Sequence, residues 1–574
     1  MKPDSFIPFG LFLVGFTIYL GTLCPSVFVG DSGEIAAASW FAGVPHSTGF
    51  PTYINISKLI TFLPVGNIAY RLNIFSGLFG AGLLILPFYF LRKMNYPVQA
   101  GALSALLFMV VPNLWSQSVI ARVYTLSNFL LFLSLFLCLS AIQKADFRYL
   151  CSGIFVFGMA LNTHGGILSG IPAVFVLVFL YLAKSSRKPF HRITTIIVFG
   201  IIGFSTIIFI PVRGTQFPFP TWHFLNNAHY FWNYITHREY EFKLFSRSLP
   251  EMIVYLKTIC AQLSGEWSLW LLIIAVFNLI FLCFKKPSEG IMLVLISSAN
   301  IVQMLLYGSG SDMLIMRRFF IPTHLVLTIS LSVFFWGTLN KLPKKAGHYM
   351  FFLVLFLPVI MFVQKYVHRN LRSCYLPYEY NSFALKQCST NSALLHIGDN
   401  ISFPIWYLHY VENSRPDVAE VSVTISDTES YSQRLRILFF GNPCEGHDIL
   451  QYHSKYNSIL NEFFERFDPL FATYSEGLLV PPGWNTRQEG ILIVVSKSPW
   501  RVRTESSIIY PWHIPHGGWK MYMTDEDIEL KQLADNVVAG YLSMIKEGLE
   551  SKNNKNVYVA KNEIMKLVPP FFDK

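Results

Sequence analysis

Charge is scarce in this sequence. Only 14% of its 574 residues are Asp, Glu, Lys or Arg, against about 25% in a soluble globular protein. That scarcity excludes a disordered chain, a coiled coil and an ordinary cytosolic enzyme. Cysteine is sparse too, with eight residues and no zinc-ligand or redox spacing among them. Cys24, Cys138, Cys151, Cys260 and Cys283 lie in or near apolar stretches and read as small core residues. Cys374, Cys388 and Cys444 fall in a polar tail, where their odd number allows one bridge, with Cys374–Cys388 the best-placed pair. A glycine-rich phosphate cradle is missing, which argues against nucleotide-driven transport. Metal ligands do not cluster either. His513 and His516 have no acidic companions, and the run His237-Arg238-Glu239-Tyr240-Glu241 lacks ligand spacing, so no metal and no cofactor are expected. There is no internal repeat.

Apolar residues dominate instead, at 53% of the chain with 52 phenylalanines. A bilayer core needs about 20 apolar residues per helix. Runs of that order stand near 6–24, 68–91, 98–112, 118–142, 150–163, 165–183, 193–211, 267–284, 290–307, 319–338 and 348–366, or about eleven spans. The runs 98–112 and 150–163 are short enough to be broken or re-entrant. The first run has no small-residue cleavage pattern, and Leu23 before Cys24 spoils a lipoprotein-type site, so an uncleaved first span is expected. The net charge of +11 does not point to nucleic acid, because most basic residues of the membrane part sit between apolar runs. Arg92 and Lys93, Lys144 and Arg148, Lys184 to Arg192, Lys285 and Lys286, and Lys341 to Lys345 occupy alternate loops. Placing those loops in the cytoplasm puts the N-terminus inside and sends 25–67, 212–266 and everything after about 366 to the opposite face.

The expected architecture is a polytopic α-helical membrane domain over 1–366 and a soluble α/β domain over 367–574. The tail alternates strand-like runs (Ala393–Ile397, Val418–Ile425, Gly490–Ser496) with helical ones. It ends in a helical pair from Asp525 to Pro569, where Ile528, Leu533, Val537, Tyr541 and Ile545 recur at helical spacing. The two long outer loops exceed what connectors need, and such loops commonly bind or catalyse.

The first loop reads Gly30-Asp31-Ser32-Gly33-Glu34. Asp31 suits a helix N-cap and Glu34 completes a capping box. Equally, a carboxylate at the mouth of an apolar bundle suits a general base, and two acids sharing a cleft would separate in pKa. Two prolines and a glycine fix the following segment, 44–53, in which His46 and Tyr53 offer polar tips. Arg71, Arg122, Arg213, Arg238, Arg317 and Arg318 fall on or just beneath the outer face, where the positive-inside rule disfavours cations. Guanidinium pairs with phosphate bidentately, which suggests an anionic lipid headgroup; snorkelling or salt bridging is expected for at least half of them. Gly398-Asp399-Asn400 follows a strand and opens a helix, like a ligand-binding βα turn.

At these residues the sequence resembles the transmembrane protein 260-type protein O-mannosyltransferases, of the GT-C glycosyltransferase superfamily, and their bacterial relatives. The matching stretches are 30–53, 70–81, 115–127, 210–222, 236–242 and 398–418. The resemblance implies a GT-C bundle that uses a polyprenyl-phosphate sugar on the outer or lumenal face, with Asp31 at the position of the acid that activates the acceptor. Glu34 lies in the same motif, and His46 matches the histidine of a His-Pro-Pro-Gly-Tyr-Pro stretch in which Ser47, Thr48 and Phe50 depart from the pattern. Arg122 stands where relatives more often carry Glu in an Ala-Glu-Val-Tyr run. The expected reaction moves a sugar, by resemblance mannose, from polyprenyl phosphate to Ser or Thr of an exported protein. Asp31, Glu34 and His46 are the expected catalytic group. Arg122, Arg213, Arg317 and Arg318 are expected at the donor phosphate, and Tyr53, Arg71, Arg238 and Glu239 at substrate positioning. A flippase of lipid-linked sugars is the rival reading. A bacterial inner membrane is expected ahead of the endoplasmic reticulum, on family abundance.

Overall fold

The computed structural model describes residues 6–184, 189–216, 218–222, 225, 227–308, 315–425, 431, 434–435, 438, 460, 462–473, 480–497, 512, 528–550 and 554–567. Cys444, His513, His516 and Asp525 lie outside the described residues, as does the side chain of Glu239.

All eleven apolar runs fold as helices. Seven of the resulting helical segments are long and apolar enough to cross a membrane: Ile68–Lys93, Tyr124–Lys144, Gly165–Ala183, Phe190–Gly214, Pro287–Leu306, Met316–Leu339 and Lys344–Arg369. Two bent pairs, Val98–Met109 with Pro112–Ser118 and Leu249–Trp267 with Leu269–Lys285, raise the number to nine. The first bends by 67°, so the run at 98–112 is broken. Ile7–Gly21 and Phe147–Leu161 are apolar but only 15 residues each, so among the described residues nine of the eleven expected spans meet the length. This is a multi-pass membrane protein.

Small residues let the helices approach. Gly158 and Gly203 meet across the Phe147–Leu161 and Pro189–Phe204 helices so closely that a Cβ on Gly203 would fall 2.0 Å from the Phe155 carbonyl oxygen. Close backbone approach of this kind is how membrane helices gain dispersion energy without a hydrophobic drive. Asn67 caps the long Ile68–Lys93 helix by accepting from the Tyr70 N–H. Arg92 and Lys93 in its last turn complement the helix dipole.

Beyond Arg369 a small sheet forms in the order β2-β1-β3-β5-β4. Its strands are β1 (Ala393–His396), β2 (Ala419–Ser422), β3 (Leu470–Ala472), β4 (Asn485–Glu489) and β5 (Leu492–Ser496). β1 pairs in parallel with β2 and β3, while β5 runs antiparallel to β3 and β4. β1, β2, β3 and β5 are wholly buried; β3 and most of β5 are apolar, while the polar groups of His396 in β1 and Glu420 in β2 are hydrogen-bonded inside. Beneath the sheet, buried His396 joins Ser402 at 2.8 Å to Glu420 at 2.9 Å, fixing β1, β2 and the Asp399–Trp406 helix together. The terminal helices are Ile528–Glu550 and Asn554–Leu567, and Leu533, Val537 and Tyr541 are buried. Cys374 and Cys388 are both buried and are not bridged to each other, so the expected bridge is not formed. Each thiol instead lies in packed protein, and the Cys374 carbonyl accepts from the Cys24 thiol at 3.8 Å.

Candidate active site

The segment between the first two helices builds one end of the site. The Ser32–Phe41 helix starts immediately after Asp31. Gly30 adopts φ +61°, and a Cβ there would come within 2.6 Å of Arg122 Nη2; only glycine satisfies both constraints. A Cβ on Gly33 would collide with the Phe403 carbonyl oxygen at 2.1 Å. That glycine therefore lets the Asp399–Trp406 helix of the sheet region lie directly on the first-loop helix.

The expected capping box does not form. Asp31 makes no side-chain cap hydrogen bond; its Oδ2 pairs with Arg122 Nη1 at 2.5 Å. Glu34 is fully buried and accepts from the His46 N–H (2.9 Å), from His46 Nδ1 (2.5 Å) and from Trp222 Nε1 (2.5 Å). Charge-assisted bonds are roughly twice as strong as neutral ones, so both carboxylates are drawn away from the helix backbone. Glu34 thus holds His46 in place, with its oxygens taken up by His46 and Trp222. His46 also meets Phe50 edge-on at 4.9 Å and Trp222 at 6.0 Å.

Electrostatics separate these groups. Burial alone would raise the Asp31 carboxyl, but the charges of Arg122, Arg318 and His46 outweigh it and hold Asp31 well below the usual carboxylate range. Burial likewise opposes charge on His46, yet Glu34 beside it, helped by Asp31 and Asp399, raises His46 to about 9. Asp399 is pushed up to about 6, by the enclosing protein first and then by the Asp31 charge. A histidine raised in the folded state stabilises fully below its unfolded value of about 6.5. That contribution is then lost as pH climbs towards about 9. The melting temperature of the protein in detergent is therefore expected to exceed that of His46→Gln at pH 6, with the gap closing by pH 9. A gap constant across that window would show that the pair does not titrate there.

Beside Asp31 opens a cavity of about 760 Å³, counting its open mouth, lined by Arg122, Arg317, Arg318, Arg369, His368, Asn113, Gln117, Glu266 and Glu529 among others. Arg122 is 1% exposed and is held by three partners. They are Asp31, the Val29 carbonyl at 2.9 Å and Glu529 at 3.2 Å. Arg318 reaches the same Glu529 at 3.4 Å. On the opposite wall Glu266 stands 3.2 Å from His324 Nε2, and His324 Nδ1 accepts from Trp267 Nε1 at 2.8 Å. The Nδ1 acceptor role leaves the His324 proton on Nε2, facing Glu266. Among the described residues, no group of three or more His, Cys, Asp or Glu is placed to hold a metal ion.

The comparisons fit this geometry. Residues 31–188 match the family profile Protein O-mannosyl-transferase TMEM260 N-terminal domain, and residues 378–470 match TMEM260-associated domain 2. Over these two stretches the chain resembles the TMEM260 proteins. It is 24% identical over 452 residues to Protein O-mannosyl-transferase TMEM260 of Mus musculus, covering 73% of this chain and 62% of that protein. It is 23% identical over 477 residues to the Dictyostelium discoideum protein of the same name, covering 73% and 57%. The chain thus spans about 60% of the length of these curated relatives. Its fold is GT-C: ArnT from Cupriavidus metallidurans, solved bound to undecaprenyl phosphate, aligns with a TM-score of 0.55 at 13% identity over 85% of this chain and 98% of ArnT. The TMEM260 N-terminal match contains Asp31, Glu34, His46 and Arg122, and the second match contains Asp399.

Not every residue assigned from the sequence reaches the cavity. Asp31, Arg122, Arg317 and Arg318 gather at or beside it. Arg213 does not: its Nε and Nη2 donate to the Ala42 and Phe41 carbonyls, each at 2.9 Å, closing the end of the first-loop helix. Arg71 is likewise spent on the Thr61, Val65 and Gly66 carbonyls. Arg238 pairs with Glu241 at 2.9 Å in solvent. Tyr53 is fully buried against Phe75, away from the cavity lining. Conversely Arg369, Glu266 and Glu529 line the cavity and went unassigned, while Asp399, noted in its βα turn, lies close enough to Asp31 to feel its charge. Arg369 carries the same mark as the other arginines, a cation just past a span on the disfavoured face.

Proposed function

We propose that this chain is a GT-C glycosyltransferase that moves mannose from a polyprenyl-phosphate donor to Ser or Thr hydroxyls of exported proteins, with inversion. The observation that carries this reading is the Asp31–Arg122 pair at the edge of an arginine-lined cavity. It sets a base and a phosphate-binding cation side by side at one end of the membrane bundle. The acceptor oxygen attacks the anomeric carbon while the carbon–oxygen bond to the phosphate breaks, and its electron pair leaves on the lipid phosphate. The hydroxyl proton passes to the Asp31 carboxylate. At rest Asp31 is charged but weakly basic, because Arg122 holds its pKa down. Once Arg122 turns part of its charge to the phosphate, Asp31 gains basicity just when the acceptor needs it. The arginines stabilise the leaving phosphate, an effect that grows where water is scarce, so no metal is required.

Residues 1–366 would form the membrane part and 367–574 the soluble part, the latter lending Asp399 and Glu529 to the site. The alternation of basic loops supports a site on the exported side, and the abundance of bacterial relatives favours a bacterial inner membrane over the endoplasmic reticulum. A flippase fits less well. Transporters bind at the bilayer midplane between repeats, whereas these charges collect at one end. Purified protein given polyprenyl-phosphate mannose and a Ser/Thr peptide is expected to form an inverted glycoside at the same rate with or without EDTA. Movement of the lipid-linked sugar across liposomes without transfer would overturn the reading; a rate lost in EDTA and restored by a divalent cation would overturn its metal independence.

A further inference from the structure

Glu529 reaches the arginine cavity from the first turn of the Ile528–Glu550 helix, more than 400 residues from Arg122 in sequence. Its two oxygens divide between two arginines, Oε2 to Arg122 at 3.2 Å and Oε1 to Arg318 at 3.4 Å. This is how one anion sits across two guanidinium groups. The contacts are long for charge-assisted bonds, which favour about 2.7–2.9 Å, while Asp31 holds the same Arg122 at 2.5 Å. Of the two carboxylates on Arg122, then, Asp31 is the tight partner and Glu529 the loose one. We propose that Glu529 is a resident stand-in for the donor phosphate, closing the Arg122–Arg318 seat until a lipid phosphate displaces it. This rests on the donor reading above.

Charge supports the exchange. A sugar phosphodiester carries one negative charge, as a carboxylate does, so the swap leaves Asp31, Arg122 and Arg318 with the same balance. Nor is Glu529 stranded when displaced, because a carboxylate in the first turn of a helix is favoured by the helix dipole. The helix keeps other anchors, among them buried Leu533 and Val537 and the Asn400–Gln532 hydrogen bond at 3.2 Å. Lipid binding would therefore release the start of this helix from the cavity while its body stays docked. An occupied seat lowers apparent affinity by the fraction of molecules in which it is open.

The test uses the full chain in lipid nanodiscs, with undecaprenyl phosphate as probe and undecaprenol as its uncharged control. Glu529→Gln keeps the size and removes the charge; it is expected to bind undecaprenyl phosphate about five- to tenfold more tightly than the unaltered protein, within the usual range of coupling, with no change for undecaprenol. Glu529→Asp, which retracts the carboxylate by one methylene, is expected to fall between them and guards against misfolding of the first variant. In the unaltered protein, undecaprenyl phosphate is expected to speed hydrogen exchange at the first turn of Ile528–Glu550. If either variant binds the phosphate more weakly than the unaltered protein, Glu529 is a strut holding the arginines and the proposal fails. If the unaltered protein does not prefer undecaprenyl phosphate over undecaprenol, it is the donor reading that fails.

Discussion

Asp31→Asn is expected to leave a folded protein that transfers sugar about 10²- to 10⁴-fold more slowly, the loss typical of removing a general base. The substitution isolates charge and basicity from shape. Asn occupies nearly the same volume, and its amide oxygen still accepts from Arg122. No helix cap is lost, because Asp31 does not cap through its side chain. Arg122 is not left bare either, since the Val29 carbonyl and Glu529 remain within 2.9 Å and 3.2 Å. Binding of a polyprenyl-phosphate donor should persist or tighten, because one anion competing for Arg122 has gone. A lower kcat with an undiminished donor affinity is thus the expected pattern, checked by single-turnover transfer alongside lipid binding and thermal unfolding. Transfer at near the original rate by a folded Asp31→Asn protein would remove Asp31 from the chemistry.

What the sequence shows of this site depends on how far apart its parts are in the chain. Asp31, Glu34 and His46 lie within one loop braced by Pro45, Gly49 and Pro51, so their grouping could be read directly. Their division of labour could not, because it depends on Trp222, which comes from the second long loop to saturate Glu34. Membrane spans are legible because bilayer thickness imposes a length. Among the described residues nine segments meet that length, and the other two of the eleven runs are apolar helices of 15 residues, whose composition passes where their length does not. Arginine misleads for a related reason. A cation on the disfavoured face signals that something holds it, but backbone carbonyls at a helix end hold Arg213 and Arg71 as effectively as a phosphate would. In the tail, β1, β2 and β5 fall inside the strand-like runs Ala393–Ile397, Val418–Ile425 and Gly490–Ser496. The three residues of β3 and the polar edge strand β4, Asn485–Glu489, carry too little pattern to be seen. Glu529 had no local mark at all, since its role exists only once the terminal helix docks on the bundle.

Arg122→Ala is expected to be the most damaging single change, affecting stability and transfer together. Arg122 is almost fully buried and joins the Val29 carbonyl, Asp31 and Glu529. Deleting it leaves two carboxylates facing each other across a vacated space. Breaking a buried pair by removing one partner costs about 3–5 kcal/mol. Asp31 retains 25% side-chain exposure, so water relieves part of this and the lower end applies. Transfer should fall by at least about 10²-fold, comparable to losing one preorganised donor to a developing anion. Arg122→Lys separates the two effects. Lysine restores the positive charge, and with it much of the stability, but a single ammonium cannot reproduce the planar fork that engages several oxygens at once. Its melting temperature is therefore expected to recover more completely than its affinity for undecaprenyl phosphate. Equal recovery of both would mean that Arg122 acts as a charge alone, and that the phosphate is held elsewhere, by Arg317 or Arg369 across the cavity.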